Sequence, residues 1–128
     1  MIRRIALILA VSLAAVGAPP AALAQPARTL DAFVTEANRI PLNATAMLRP
    51  SARRLADEAN ESFRVIGGEI RAARAAGRTP AACPPDKISL NPRQLLTFLN
   101  AIPQPRRARM SVTDGFRAWM ADRYPCRG

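Results

Sequence analysis

Two cysteines offer the most chemistry in this sequence: Cys83 in "AACPPDK" and Cys126 in the closing "WMADRYPCRG". They lie 43 positions apart, which admits a disulfide, half a metal site, a redox couple, or two unrelated core thiols. Zinc is poorly served, because the chain has no histidine and two thiolates cannot close a tetrahedral shell alone. A CxxC redox couple is excluded by the spacing. What remains depends on the compartment, since disulfides persist only where the surroundings are oxidising.

The other reactive side chains point to ordinary jobs. Without histidine the commonest general base is absent. Asp57, Glu58 and Glu61 fall in the first half of a long helical pattern, and Arg71, Arg74 and Arg78 fall in its last turns. That polarity complements the helix dipole, and Arg54–Glu58 forms an i,i+4 pair in the less favourable order. Ser51, Ser62, Ser89 and Ser111 have no nucleophile-elbow context, and no glycine-rich phosphate loop is present. The expectation is a protein that is not an enzyme, with no catalytic residue, no metal and no cofactor.

The compartment is read from the start of the chain. "MIRRIALILAVSLAAVGAPPAALAQ" has the three parts of an export signal: Arg3 and Arg4, an apolar run from Ile5 to Val16, and Ala22-Leu23-Ala24 as a small-x-small cleavage site. The run is short of the roughly 20 residues of a spanning helix, and Pro19 and Pro20 interrupt it. No cysteine follows the cleavage site, which argues against a lipoprotein. Residues 1–24 are therefore expected to be a signal peptide with a helix over Ile2–Val16, exported by the Sec pathway and cleaved before Gln25. Residues 25–128 are expected to be a single periplasmic domain of one-domain length.

Export leaves two cysteines and one pairing, so a structural Cys83–Cys126 disulfide is expected. The bond would have something to hold. After residue 24 the chain has 25 large apolar residues in 104, a thin core for one domain. Closing the loop between the cysteines removes unfolded-state entropy worth on the order of 4 kcal/mol in the simple chain model. It would also staple a C-terminus that otherwise frays.

The domain that must position these cysteines reads as all-α. The expectation is a small bundle of about four helices with one disulfide, following the N-terminal signal helix. Thr29 is placed to cap a helix with Leu30, Phe33, Val34 and Ala37 on one face. "PLNATAMLRP" lies between prolines and is expected to be a loop or a single turn. From Ser51 a long helix carries the stripe Leu55, Ala59, Phe63, Ile66, Ile70, Ala73, with Gly77 as its stop. Gly67 and Gly68 inside it would each cost roughly 1 kcal/mol against Ala if exposed, so a second helix is expected to pack closely against them. "RTPAACPPDKISLNP" is the main loop. Asn91 and Pro92 open a helix buried through Leu95, Phe98, Leu99 and Ile102, and "IPQP" ends it. Ser111 and Asp114 form a capping-box-like start for a last helix, Val112 to Arg123, that buries Val112, Phe116, Trp119 and Met120.

Charge is the remaining signal. Without Arg3 and Arg4 the chain keeps 17 basic and nine acidic residues, a net of about +8, and Lys87 is its single lysine. Nucleic acid is not expected as a partner outside the cytoplasm, and the basic residues are not interleaved with stacking aromatics. An acidic protein surface, or anionic lipid and polymer of the envelope, fits better. The tightest cluster, Arg106, Arg107 and Arg109 between the last two helices, is the candidate partner-binding site, with an ordinary solvated turn as the other reading.

The C-terminal half, "CPP…LNPRQLLTFLNAIP…RRARMSVTDGFRAWMADRYPC", resembles the Rap/Tai immunity proteins, small exported helical proteins of Gram-negative bacteria. The matching parts are the Cys-Pro loop at Cys83–Pro85, the Leu-Leu step at Leu95–Leu96 in a polar-capped helix, the Ile-Pro exit with basic residues after it, and the aromatic-Pro-Cys ending at Tyr124–Cys126. The resemblance spans roughly residues 80–126. Residues 26–79 do not share it, and upstream cysteines common in the family are absent. It implies a periplasmic protein that binds and inhibits a peptidoglycan amidase toxin delivered by type VI secretion. It also implies a small disulfide-bonded homodimer whose loops occlude the cleft of that cognate enzyme. The alternative is a non-catalytic periplasmic protein that docks through its basic surface on an acidic partner or makes peripheral contact with an anionic envelope component.

Overall fold

A computed structural model describes residues 28–127. The expected signal peptide, with its expected helix over Ile2–Val16 and cleavage before Gln25, lies outside the described residues. Five α-helices follow one another: α1 (Leu30–Ala37), α2 (Pro50–Ala75), α3 (Pro92–Ala101), α4 (Gln104–Arg107) and α5 (Val112–Arg123), with a 3-10 turn at Ala44–Leu48 between α1 and α2. The fold is mostly helical, with no strand among the described residues. It has one more α-helix than the four expected. Proline placement explains the addition: Pro103 stands at the N-cap and Pro105 in the first turn of α4, where a missing N–H costs nothing. "IPQP" thus ends one helix and starts the next.

Three of the expected start signals are used, whereas α2 begins one residue before Ser51, with Pro50 at its first position and no side-chain cap from Arg49. Thr29 accepts a hydrogen bond from the Ala32 N–H at 3.2 Å, and Asn91 accepts from Arg93 and Gln94. Ser111 and Asp114 form a complete capping box: Ser111 Oγ accepts from the Asp114 N–H at 3.0 Å, and Asp114 accepts from the Ser111 N–H at 3.1 Å. Gly77, at φ 68°, takes the left-handed position after α2. The caps of α1 and α5 lie side by side, because Thr29 and Ser111 form an isolated antiparallel bridge and the Leu30 N–H donates to the Met110 carbonyl at 2.8 Å.

That shared origin brings α1 and α5 together over α2, with α3 against α1 and α5. The faces expected to be buried form one core: Leu30, Phe33 and Val34 from α1; Leu55, Ala59, Ile66 and Ile70 from α2; Leu95 and Leu99 from α3; Val112, Phe116, Trp119 and Met120 from α5. Phe63, Phe98 and Ile102 pack against it half-buried. Phe116 stands at the centre, edge-on to Phe33 at 5.4 Å and stacked on Phe63 at 5.1 Å. Phe63 and Tyr124 both meet Trp119 edge-on, arrangements that suit the ring quadrupoles.

The close approach expected at Gly67 and Gly68 occurs elsewhere. Apart from their own helix backbone, the nearest atoms to a Cβ placed at these glycines are the guanidinium nitrogens of Arg71, at 3.4 and 4.0 Å. The tight contact is at Gly115 in α5, where a Cβ would lie 2.6 Å from both methyls of Leu30. The reason is the side-by-side start of α1 and α5, which places the first residue of one helix over the first turn of the other.

Candidate protein-binding surface

Cys83 and Cys126 are bonded, with Cα atoms 4.9 Å apart. The bond ties the loop after α2 to the residues after α5, and the Cys83 N–H donates to the Tyr124 carbonyl at 2.8 Å beside it. Ala82, the neighbour of Cys83, is drawn fully into the core. The bond therefore fixes a loop that has little other secondary structure, which leaves the segment from Asp86 to Leu90 on the surface.

The three arginines expected in a turn separate in place and role: Arg106 and Arg107 lie in α4, and Arg109 follows it. Arg107 is largely buried and faces inward: its Nε donates to Asp31 at 3.1 Å, and one Nη donates to the carbonyls of Ile102 at 3.0 Å and Asn100 at 3.2 Å. It closes the C-terminus of α3 and pairs with an acid in the first turn of α1, both dipole-favoured placements. Arg109 bends back to the Pro105 carbonyl at 3.2 Å and stays exposed. Arg106 is exposed and has no ion pair among the described residues. The Arg54–Glu58 pair does not form. Glu58 is taken by Arg28 at 3.0 Å, and Arg54 reaches Glu36 at 3.5 Å.

Four of the nine carboxylates, Asp31, Glu36, Glu58 and Glu69, join separate parts of the chain. Asp31, Glu36, Glu58, Glu61, Glu69 and Asp114 all sit in ion pairs with arginines. The Arg28 hydrogen bond holds Glu36 below the usual carboxylate range, and Arg64 does the same for Glu61. Arg117 lowers Glu69. The backbone N–H of Ser111 lowers Asp114. These four groups are firmly ionised at neutral pH, which suits them to hold cations rather than to donate protons. Among the described residues no three His, Cys, Asp or Glu side chains gather as metal ligands.

A further feature, away from the basic cluster, is an apolar recess. An open groove of about 580 Å³ runs between α1, the 3-10 turn, α2 and the segment leading into α3. Phe33, Ala37, Leu55, Ala59 and Leu95, all core residues, form its floor, and Leu42, Met47 and Leu90 form its lip. Met47 is 54% exposed, Leu42 45% and Leu90 42%, and Leu48 beside them is 72% exposed. No Asp or Glu lines the groove. Arg93 does, and Arg53 anchors the lip by donating to the Met47 carbonyl at 3.2 Å. Arg39 and Arg49, both exposed, flank the lip in sequence. None of these four arginines is ion-paired among the described residues. A shallower depression of about 450 Å³ continues past Arg93 to Asn38 and Asn100, whose side-chain amides pair with each other.

One signal for this groove was in the sequence. "PLNATAMLRP" places Leu42, Met47 and Leu48 in a ten-residue stretch that belongs to no helical stripe. Large apolar residues that cannot join a buried face must face water or a partner. Asn43 then caps the 3-10 turn, accepting from the Ala46 N–H at 3.0 Å, and turns Ala46 inward while Met47 and Leu48 point out. No protein-family model matches the chain, and no curated protein or solved structure matches it.

Proposed function

We propose that this chain is an exported, non-catalytic periplasmic protein that acts by binding another protein. Its partner would be a peptidoglycan amidase delivered by type VI secretion, which it inhibits as an immunity protein. The observation that carries the binding role is the groove: an apolar recess with exposed leucine and methionine at its lip, on a domain clipped by a disulfide. Three of the five exposed large apolar side chains among the described residues, Leu42, Met47 and Leu90, line this one recess instead of being scattered singly, which marks it as a contact surface. The amidase enters through the resemblance of residues 80–126 to the Rap/Tai immunity proteins. A clipped helical scaffold suits the task, because a rigid inhibitor loses little freedom on binding.

The second reading, docking on an acidic or anionic envelope component, is favoured by the unpaired arginines around the groove and at Arg106. The two separate in one experiment. The mature, oxidised domain is used as bait in envelope extract and washed at low, then high salt. One stoichiometric enzyme retained at high salt supports the inhibitor; purified, it must lose amidase activity when the domain is added. Diffuse recovery of anionic lipid or many acidic proteins, all released by salt, would overturn the inhibitor and leave surface docking.

A further inference from the structure

We propose that the groove receives an acidic amphipathic segment of the protein partner, with bulky apolar side chains on its floor and carboxylates on the arginines around it. This rests on the protein-binding reading and names the chemistry of what is bound. The floor is made of side chains that the core already holds in place, Phe33, Leu55 and Leu95, so it is preformed. Its volume of about 580 Å³ is enough for several side chains, and preformed apolar recesses with few polar groups are what anchor residues enter.

Charge selects the occupant. The recess is lined by no acid and bordered by Arg93, with Arg53 at the lip and Arg39 and Arg49 beside it in sequence. A second copy of this chain would bring the same cations against themselves, since a two-fold contact is self-complementary. Like charges facing each other across an interface oppose binding. A single-chain amphiphile has one anionic head and would leave the other arginines unmatched. A flat bilayer meets the lip but not the floor. An acidic helix with apolar residues at i, i+3, i+4 and i+7 satisfies both parts, in the helix-in-groove mode.

The test selects a display library of random 16-residue peptides on the mature, oxidised domain. Enriched peptides are expected to carry Asp or Glu around Leu, Phe, Met or Trp at helical spacing. A synthetic copy of one is expected to bind at least tenfold more weakly to Met47→Glu and several-fold more weakly to Arg93→Glu, as loss of one buried anchor or one charge pair implies. Both positions are exposed, so melting curves of the variants are expected to match the parent. Amide shift changes on the unaltered domain must fall on the groove whatever the variants do. No enrichment, enrichment without net negative charge, or binding lost in Arg106→Glu but kept in Met47→Glu would overturn the proposal. So would self-association removed by Met47→Glu, or binding of laurate or of phosphatidylglycerol vesicles in place of peptides. An amidase captured from the envelope and inhibited equally well by Met47→Glu would refute the groove and keep the inhibitor. Peptides that bind as expected while no protein is captured would do the reverse.

Discussion

Gly115→Ala and Gly68→Ala are the same substitution in two helices, and the structure predicts opposite signs. In an exposed helix interior, exchanging Gly for Ala stabilises by about 1 kcal/mol. At Gly68 only the flexible Arg71 side chain lies near, 4.0 Å from the new methyl, so the full gain is expected. At Gly115 the methyl arrives 2.6 Å from both Leu30 methyls and 3.1 Å from its Cγ, where carbon atoms need about 3.5–4.0 Å. Leu30 cannot yield outward, because it is fully buried and its N–H is bonded to Met110. Overpacking of this kind costs about 1–3 kcal/mol. With two methyls in conflict the upper end applies, so the net loss is about 2 kcal/mol. That lowers Tm by roughly 8–15 °C, against a rise of roughly 4–8 °C for Gly68→Ala. Thermal melts of the oxidised domain by circular dichroism measure both. Leu30→Ala in the Gly115→Ala background should cost less than the sum of the two changes, since the new methyl then occupies the vacated space. A Gly115→Ala variant melting at or above the parent would refute the account of how α1 and α5 meet.

Three further expectations follow from named contacts. Cys126→Ser removes a cross-link over 43 positions, worth on the order of 4 kcal/mol; Tm should fall by roughly 15–30 °C, and the oxidised parent should titrate no free thiol. Arg107→Ala, which abandons Asp31 and two α3 carbonyls, should destabilise by about 1–3 kcal/mol, whereas Arg106→Ala should change the urea midpoint little. The lowered Glu36, Glu69 and Asp114 contribute stability that is fully present above the ordinary carboxylate pKa and is lost as pH falls through their lower folded values. Urea midpoints should therefore hold from neutrality to the ordinary carboxylate range and drop below it; a midpoint rising with acid would contradict the ion pairs.

Much of the helical frame was legible in the sequence because it rests on local rules. Thr29, Asn91 and Ser111 cap their own helices through atoms two or three residues away, and the stripes of α1, α2 and α5 need only their own periodicity. The added helix α4 was hidden because prolines read equally as stop and start. Gly67 and Gly68 misled for a different reason. Glycine in a helix signals that a neighbour approaches or that none does, and only the relative placement of other helices decides. Gly115 carried the same ambiguity, and its resolution depends on Thr29 meeting Ser111 across 82 positions. The charges were the least legible part. Arg107 shared a cluster with Arg106 and Arg109 in sequence, yet its partner is Asp31, a residue fixed by the packing of α1 against α4.

The placement of acids also decides what the surplus charge can do. Asp31, Glu58 and Glu69 each bridge separate parts of the chain, to Arg107, Arg28 and Arg117, so much of the negative charge is spent between elements. Arg93 in the groove, Arg53 at its lip, and Arg39 and Arg49 beside the lip in sequence are exposed and have no carboxylate partner among the described residues. Charge of that kind acts at a distance and is screened beyond about 8 Å at physiological salt, whereas apolar contacts on the groove floor are not screened. The two contributions therefore separate kinetically. With a partner seated in the groove, raising salt should lower the association rate severalfold and leave the dissociation rate nearly unchanged, because the floor contacts hold the complex once formed. Stopped-flow or surface-based rate measurements on the captured partner across 0.05 to 0.5 M salt, a range over which the screening length falls from roughly 14 to 4 Å, resolve the two. If salt instead accelerates dissociation steeply and affinity vanishes, the arginines alone hold the partner and the groove floor is not in contact with it.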